Sequence, residues 1–262
     1  MTSLFTAVGG RILSAAYSLG GAGLMFRQVL RELGRRPVHF FLVAEQIFHV
    51  GVESISLVMI TALSTGMVMA LQFGIGLEKF GGKLYVPKIV ALSIVREMGP
   101  VFCSLMFAAR VGAGIASEIG SMTVTQQIDA IRALGTSPIK RIVIPRIIAC
   151  LIALPLLVAL GNVFGILGSL GVEVWELGLD PKFALEKMFT TVVVLDYTEG
   201  LTKTLFFSLF VSITACYCGL TVKGGTQGVG SATTKAVVVS SVMVLTGDFF
   251  LSKLFIILFE RG

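Results

Sequence analysis

The sequence predicts an all-α polytopic membrane protein, and three observations support that fold class. Of its 262 residues, 55% are hydrophobic and only 14% are charged, whereas about a quarter of the residues in a soluble domain are charged. The mean hydropathy is +0.92. Five long apolar stretches alternate with short polar connections. Such a chain buries its surface in lipid, so we predict a single domain of five transmembrane helices over residues 1–262.

The first predicted element, residues 1–36, is a helix that lies on the membrane surface. Residues 25–35 separate into two faces on a helical wheel. The apolar face carries Met25, Phe26, Val29, Leu30 and Leu33, and the polar face carries Arg27, Gln28, Arg31, Glu32 and Arg35. Arginines opposite an apolar face are typical of an interfacial helix. The alternative is a soluble helix that binds a partner. Pro37 is expected to end the helix.

Five apolar stretches are long enough to cross a bilayer. They cover residues 50–77, 87–117, 147–172, 204–222 and 236–259. At about 1.5 Å per residue the first reaches roughly 42 Å, which exceeds a hydrocarbon core of ~30 Å, so it must tilt, bend or extend beyond the bilayer. Its glycines are the predicted bending points, namely Gly66, Gly74 and Gly76.

The second span contains the charged residues Arg96, Glu97 and Arg110. Charges at this depth must face protein, a water-filled cavity or lipid headgroups. Small residues also repeat every four positions along the same helix. The two stripes are Ala108, Gly112 and Ala116, and Ala109, Ala113 and Ser117. This spacing predicts a close approach of neighbouring helices.

The third span carries Pro155 and a Gly161-x-x-x-Gly165 pair. These residues predict a kinked helix with a glycine-rich packing face. Residues 173–200 then form a polar segment, in which Asp180-Pro181 is expected to begin a short helix that continues through Phe189.

A short polar helix is predicted at residues 123–134, between the second and third spans. Thr123 and Gln126 have the spacing of a capping box at its start, and Gly135 and Pro138 mark its end. One narrow apolar stripe runs along it, formed by Val124, Ile128 and Ile131. A polar helix between membrane spans suggests docking to a partner outside the bilayer. The alternative is an ordinary interfacial loop helix.

Five spans place alternate connecting segments on opposite sides of the membrane, and Lys and Arg residues are more numerous on one side than on the other. Segments 1–49, 110–146 and 220–235 share one side and carry twelve Lys and Arg against four acidic residues, whereas the other side carries eight of each. The positive-inside rule places the first side in the cytoplasm. The polar helix is then cytoplasmic, and residues 173–200 face outward.

Several separated motifs occur in a fixed order between about residues 45 and 260. They are Arg96-Glu97-Met98-Gly99-Pro100, Ala109-Arg110-Val111-Gly112-Ala113, Ser117-Glu118-Ile119-Gly120-Ser121-Met122, Gln126-Gln127-Ile128-Asp129-Ala130, the run from Gly228 to Val238, and Gly247-Asp248-Phe249. Together they resemble the motifs of MlaE-type permeases, the membrane subunits of ABC transporters that work with MCE proteins.

The resemblance implies a homodimer of five-span subunits in the bacterial inner membrane, with the amino terminus in the cytoplasm and the carboxyl terminus in the periplasm. It also implies a cytoplasmic ABC ATPase, a periplasmic MCE-domain protein, a small cytoplasmic accessory subunit and a phospholipid cargo. The cargo moves between the inner and outer membranes. ATP and Mg belong to the partner ATPase, so the chain itself is expected to be non-catalytic, without a cofactor, a metal or a nucleic-acid partner.

The resemblance further assigns residues 118–134 to a coupling helix that enters a groove of the ATPase. The residues expected at that contact are Glu118, Gly120, Met122, Gln126, Gln127, Asp129 and Arg132.

An acyl-chain pocket is expected from apolar residues at the outer end of the first span and the start of the second. They are Leu71, Phe73, Ile75, Leu77, Phe80, Leu92 and Met98. Arg96, beside Glu97, is expected to meet a lipid phosphate, because a guanidinium binds phosphate through two N–H groups. The alternative for this pair is a structural ion pair or links to neighbouring helices. Asp248 is expected to have a structural hydrogen-bonding role rather than a gating role.

The sequence leaves two other classes of function open. An autonomous secondary transporter would use Asp248, Glu97 and Glu53 as titratable groups, but no internal repeat supports that class. A membrane enzyme would have to use His39 or His49, and no acidic cluster with metal-ligand spacing accompanies them. The cysteines lie in apolar runs and are expected to be small buried hydrophobic residues.

Overall fold

The computed structural model describes residue 17, residues 20–34 and residues 40–259. Helices α1 to α11 span residues 20–33, Phe40–Val50, Ile55–Glu78, Val86–Ser93, Gly99–Phe107, Ala113–Val124, Gln127–Ala133, Ile144–Trp175, Pro181–Thr191, Val194–Leu220 and Gly225–Phe259. Within the described ranges, five helical stretches are long and apolar enough to cross a membrane. They are Phe40–Glu78, Lys83–Val124, Ile139–Trp175, Val194–Leu220 and Gly225–Leu258. The predicted all-α polytopic fold is confirmed.

The amino-terminal helix α1 packs partly on the protein. Met25 and Val29 are buried, whereas Leu30 and Leu33 of the predicted apolar face are exposed. A Cβ atom on Gly21 would collide with the ring of Tyr217 on α10, so α1 lies close to that span. The rest of the predicted segment 1–36, together with the expected stop at Pro37, lies outside the described residues.

The first span begins at Phe40, before the predicted start at residue 50. Helix α2 is joined to α3 by a 3₁₀ turn at Val52–Ser54. Helix α3 then continues without interruption through the three glycines that were predicted as bending points. Two of them instead allow close packing, because a Cβ on Gly66 would meet the backbone of Gly165, and a Cβ on Gly74 would meet the side chain of Leu177.

The second span consists of α4, α5 and α6, joined by two π-helical turns at Ile94–Met98 and Ala108–Gly112. Such turns inside α-helices are frequent at functional sites. Arg96 and Glu97 lie in the first turn and Arg110 in the second. The helix runs beyond the predicted end of the span, residue 117, and stops at Val124.

Helix α8 lies at the centre of the bundle. It packs against α2, α3, α5 and α10 and continues through Pro155 as one helix. Its glycines face its neighbours as predicted. A Cβ on Gly168 would meet the backbone of Leu63 on α3, and one on Gly161 would meet the sulfur of Cys103 on α5. All four cysteines are buried and unbridged, as expected.

The predicted polar segment 173–200 is divided among three helices. Helix α9 begins at Pro181, where the Asp180 carboxylate accepts a hydrogen bond from the backbone N–H of Phe183 at 3.0 Å, so the expected start of this helix is confirmed. Helix α10 begins at Val194, well before the predicted span start at residue 204. Residues 194–203 therefore belong to α10, where Asp196, Glu199 and Lys203 are buried, instead of forming an outer loop.

Candidate functional site

Charged side chains from two spans meet beside the first π-helical turn. The Nε atom of Arg96 lies 3.2 Å from Asp196 Oδ1, and its Nη2 atom donates to Glu199 Oε2 at 3.0 Å. Both carboxylates belong to α10 and are nearly buried, while 26% of the Arg96 side chain is exposed. Arg96 therefore ties the second span to α10 through two carboxylates that lie far from it in the sequence.

Glu97 pairs instead with Lys203 of α10, whose Nζ atom lies 2.7 Å from Glu97 Oε2. The same ammonium donates to Ser252 Oγ at 2.7 Å and lies 3.3 Å from Asp248 Oδ1. Ser252 and Asp248 both belong to α11. Lys203 is only 3% exposed, so one buried cation joins the second, fourth and fifth spans.

The charge cluster, as we call these side chains, holds more acidic than basic groups. Its basic members are Arg96 and Lys203, and its acidic members are Glu97, Asp196, Glu199 and Asp248. Each cation lies within ion-pair distance of at least two of these carboxylates.

Half of the charge cluster is absent from the sequence prediction. Asp196, Glu199 and Lys203 were placed in or near an extramembrane segment, and Lys203 was counted among the charges on the outer side. The spacing of these three residues is i, i+3 and i+7, which puts them on one face of a helix. That spacing is the sequence pattern that could have placed the three residues together on a helix. No such pattern in the sequence points to Ser252.

Asp248, the residue predicted to be structural rather than gating, lies in the charge cluster with 21% of its side chain exposed. It is within ion-pair distance of Lys203, yet its Oδ1 atom makes no hydrogen bond with a described residue. Both roles remain predictions.

The residues expected to line an acyl-chain pocket do not form one group. Phe73 and Leu77 pack against a small apolar cluster that includes Val86 of α4 and Leu177. These two side chains therefore contact protein within a single copy of the chain.

The other members of that set lie elsewhere. Leu71, Ile75 and Phe80 are exposed on the outside of the bundle. Leu92 is half-buried, and Met98 lines a small crevice with Thr61 of α3 and Phe102 of α5. Their contact with lipid remains a prediction.

A second polar network lies near the other end of the second span. Arg110 Nη2 lies 3.1 Å from Glu53 Oε2, and Arg110 also donates to Ser54 Oγ. His49 Nδ1 lies 2.9 Å from Glu53 Oε1. These side chains border an open cleft of about 430 Å³ that reaches Glu118. The network joins the second π-helical turn to the start of the first span.

The expected coupling helix is a separate, short element. The helix of the second span ends at Val124, the chain turns at Gln126 with a left-handed φ of 60°, and α7 begins at Gln127. The predicted capping box is wrong. Thr123 Oγ1 donates to Ile119 O and Gly219 O, and no side chain caps α7.

Only part of the expected coupling surface is open to a partner. Gln126, Gln127, Asp129 and Arg132 are exposed. Glu118 pairs with Arg146 of α8 while 57% of its side chain stays exposed. Gly120 is buried beside Val222 and Val229, and Met122 packs against the core.

Two apolar residues frame that open surface. Ile128 is 4% exposed and anchors α7 in the core, while Leu134, which was not singled out, is 83% exposed at its end. The exposed surface of α7 is therefore a polar face with an apolar end.

No group of three or more His, Cys, Asp or Glu side chains within the described ranges has an arrangement that could hold a metal ion. At the charge cluster, the residues named above form ion pairs and hydrogen bonds.

The chain has clear relatives. The model of the family described as "Permease MlaE" matches residues 43–254. A probable ABC transporter permease protein from Rickettsia conorii is 38% identical over 253 residues, covering 97% of this chain and 98% of the relative. A probable ABC transporter permease protein from Synechocystis is 38% identical over 243 residues, covering 92% and 90%. The intermembrane phospholipid transport system permease protein MlaE of Haemophilus influenzae is 32% identical over 255 residues, covering 97% and 98%. The chain belongs to the MlaE family of ABC transporter permeases.

Proposed function

We propose that this chain is the non-catalytic membrane subunit of an ATP-driven transporter that moves phospholipid between the inner and outer membranes. The observation that carries the proposal is α7, a short helix with an exposed polar face at the end of the second span, in a chain of this family. The phospholipid specificity is supported by the name of the Haemophilus influenzae relative. A separate cytoplasmic ATPase binds ATP and Mg and hydrolyses the nucleotide.

The geometry of α7 supports a coupling role. Ile128 anchors the helix in the core, and the adjacent α6 packs against α10 and α11. A push on α7 by the ATPase is thereby transmitted to the helices that hold the charge cluster. The exposed contact is formed by Gln126, Gln127, Asp129 and Arg132.

The functional unit that we propose is a homodimer. One small-residue stripe of the second span, Ala108, Gly112 and Ala116, is buried against α10 and α11 within the chain. On the other stripe, Ala109 and Ser117 are exposed. The fifth span is almost entirely unburied and exposes large apolar residues, including Val242, Phe249 and Phe250. Two copies packed through these faces would enclose a cavity beside the charge cluster.

Arg96 is the proposed contact for the lipid phosphate. It is positioned by Asp196 and Glu199, and its exposed quarter is the part that the cargo reaches. The phosphate displaces one carboxylate during loading, and the carboxylate returns when the lipid leaves. The apolar residues exposed on the first span, Leu71 and Ile75, would meet the acyl chains.

The proposed topology places α7 in the cytoplasm and α9 in the periplasm of a bacterium with two membranes. The buried position of Lys203 supports this orientation. Lys203 is inside the bundle and no longer counts among the Lys and Arg residues of the outer side, so the excess of basic residues on the side that bears α7 becomes larger. The periplasmic partner is an MCE-domain protein, and a small cytoplasmic accessory subunit completes the complex.

The test is purification of the tagged full chain from its native membrane in a mild detergent, followed by mass spectrometry of the co-purifying proteins and lipids. We expect an ABC ATPase, an MCE-domain protein and bound phospholipid. A chain that purifies without an ATPase contradicts the proposal. That result would favour an autonomous transporter that uses the carboxylates of Glu97 and Asp248.

A further inference from the structure

A groove lies between the start of the second span and α9, at the end of the bundle opposite α7. It has a volume of about 500 Å³ and is lined by Leu84, Tyr85, Lys88, Phe183, Lys187, Thr190 and Thr191. The residues from α9 are spaced i, i+4, i+7 and i+8, so they form one stripe of that helix. We call this the α4–α9 groove.

The α4–α9 groove is basic. Lys88 and Lys187 are both exposed, and neither forms an ion pair with a carboxylate in the described part of the chain. Lys187 Nζ lies 5.6 Å from the ring centroid of Phe183, in cation–π geometry. That contact holds one ammonium over the groove floor without neutralising its charge.

Hydroxyl groups from α9 add hydrogen-bond acceptors. Thr190 Oγ1 donates to Glu186 O at 2.7 Å, and Thr191 Oγ1 donates to Lys187 O at 2.7 Å. Because both hydrogens are used inside the helix, the hydroxyl oxygens offer lone pairs to the groove. The groove therefore combines two cations with two acceptors, which fits an anion that also carries its own donor groups.

The surroundings place the groove at the level of lipid headgroups. Helix α9 connects the ends of the third and fourth spans. Trp175, at the end of α8, is 87% exposed, and Phe189, within α9, is 76% exposed. Tryptophan is enriched at membrane–water interfaces. Leu84 is exposed at the groove edge and supplies apolar surface for the upper part of an acyl chain.

We propose that the α4–α9 groove binds the headgroup of a phospholipid in the leaflet opposite α7. The phosphate lies between Lys88 and Lys187, and glycerol or amine donors of the headgroup bond to the oxygens of Thr190 and Thr191. This lipid contact is separate from Arg96. The inference rests on the proposed function only for the identity of the leaflet, which is the periplasmic one.

The experiment compares lipids retained by the full chain, with its co-purifying subunits, in nanodiscs of equal parts phosphatidylcholine and phosphatidylglycerol. After a detergent wash, retained lipids are quantified by mass spectrometry. The test variant is Lys88→Gln with Lys187→Gln. The matched control is Lys79→Gln with Lys182→Gln, which removes two exposed lysines outside the groove. An Arg96→Gln variant reports on the proposed cargo site.

Wild type and the control are expected to retain phosphatidylglycerol preferentially. The groove variant is expected to lose that preference by about tenfold or more, since each lysine near an anionic headgroup contributes roughly a fivefold effect. Equal enrichment in the groove variant and the control overturns the inference. It is also overturned if the groove variant releases a periplasmic protein while it keeps its phosphatidylglycerol.

The two proposals fail in different ways. A lipid loss in Arg96→Gln alone leaves the proposed function standing and removes the α4–α9 groove as a lipid site. Absence of the ATPase from the wild-type preparation contradicts the proposed function and does not affect the headgroup measurement.

Discussion

The charge cluster and α7 hold their charged residues in opposite ways. In the cluster, Lys203 is nearly buried and contacts residues that lie far away in the sequence. On α7, Asp129 and Arg132 pair at 3.0 Å across one turn, and about two-thirds of each side chain is exposed. Buried ion pairs are costly to break, whereas exposed pairs contribute little. The cluster therefore fixes the bundle, and α7 keeps its surface available for a partner.

The largest effect on stability is expected from Lys203→Met. This variant leaves the carboxylates of Glu97 and Asp248 without their shared cation, which is expected to lower the free energy of unfolding by about 3–5 kcal/mol. Denaturant titration in detergent measures the change. Lys253→Met is the control, since Lys253 is exposed on α11. A similar, small change in both variants would show that the cluster does not hold the spans together.

A smaller loss is expected from Ile128→Ala, which removes the buried anchor of α7. Truncation of a buried isoleucine costs about 2–5 kcal/mol, and we expect the lower end because α7 is short. Proteolysis between Thr125 and Pro138 should become faster, while the thermal unfolding of the spans changes little. Leu134→Ala is the matched control because Leu134 is exposed. Equal proteolysis of the two variants would contradict the anchoring role.

Glu199→Gln separates the structural role of the charge cluster from its proposed cargo role. Loss of one charge-assisted hydrogen bond to Arg96 is expected to cost about 1–3 kcal/mol. Because one carboxylate fewer then competes for Arg96, the protein should also retain several-fold more phospholipid, measured by mass spectrometry of the purified protein. Glu186→Gln, on an exposed face of α9, should leave both quantities unchanged. Unaltered lipid retention in Glu199→Gln would argue that the phosphate does not compete for Arg96.

The smallest effect on stability is expected from Asp129→Ala with Arg132→Ala. Loss of one exposed pair should change the free energy of unfolding by less than about 0.5 kcal/mol. Co-purification of the ATPase, quantified on the same preparation, should nevertheless fall. Lys182→Ala with Glu186→Ala on α9 is the control at the opposite end of the bundle. Full retention of the ATPase by the α7 variant would separate α7 from coupling.

The same contrast explains which features the sequence predicts. The spans and the existence of a short polar helix follow from local patterns of hydropathy, and the glycine face of α8 follows from its spacing. The true start of α7 does not follow from a local pattern. Thr123 donates a hydrogen bond to Gly219 on α10 instead of capping α7. The partners of Arg96 and Lys203 depend on how three spans pack together. Their assignment required that Asp196 and Glu199 be placed inside α10 rather than in an outer loop.

The central claim is that α7 docks onto an ATPase, and site-specific crosslinking tests it most directly. A photoreactive benzoylphenylalanine replaces Gln127 on α7 in one variant and Lys182 on α9 in another, in the otherwise intact chain. After illumination of native membranes, we predict an adduct with an ABC ATPase from position 127 and none from position 182. An adduct from neither position, or equal adducts from both, would contradict the proposed coupling surface.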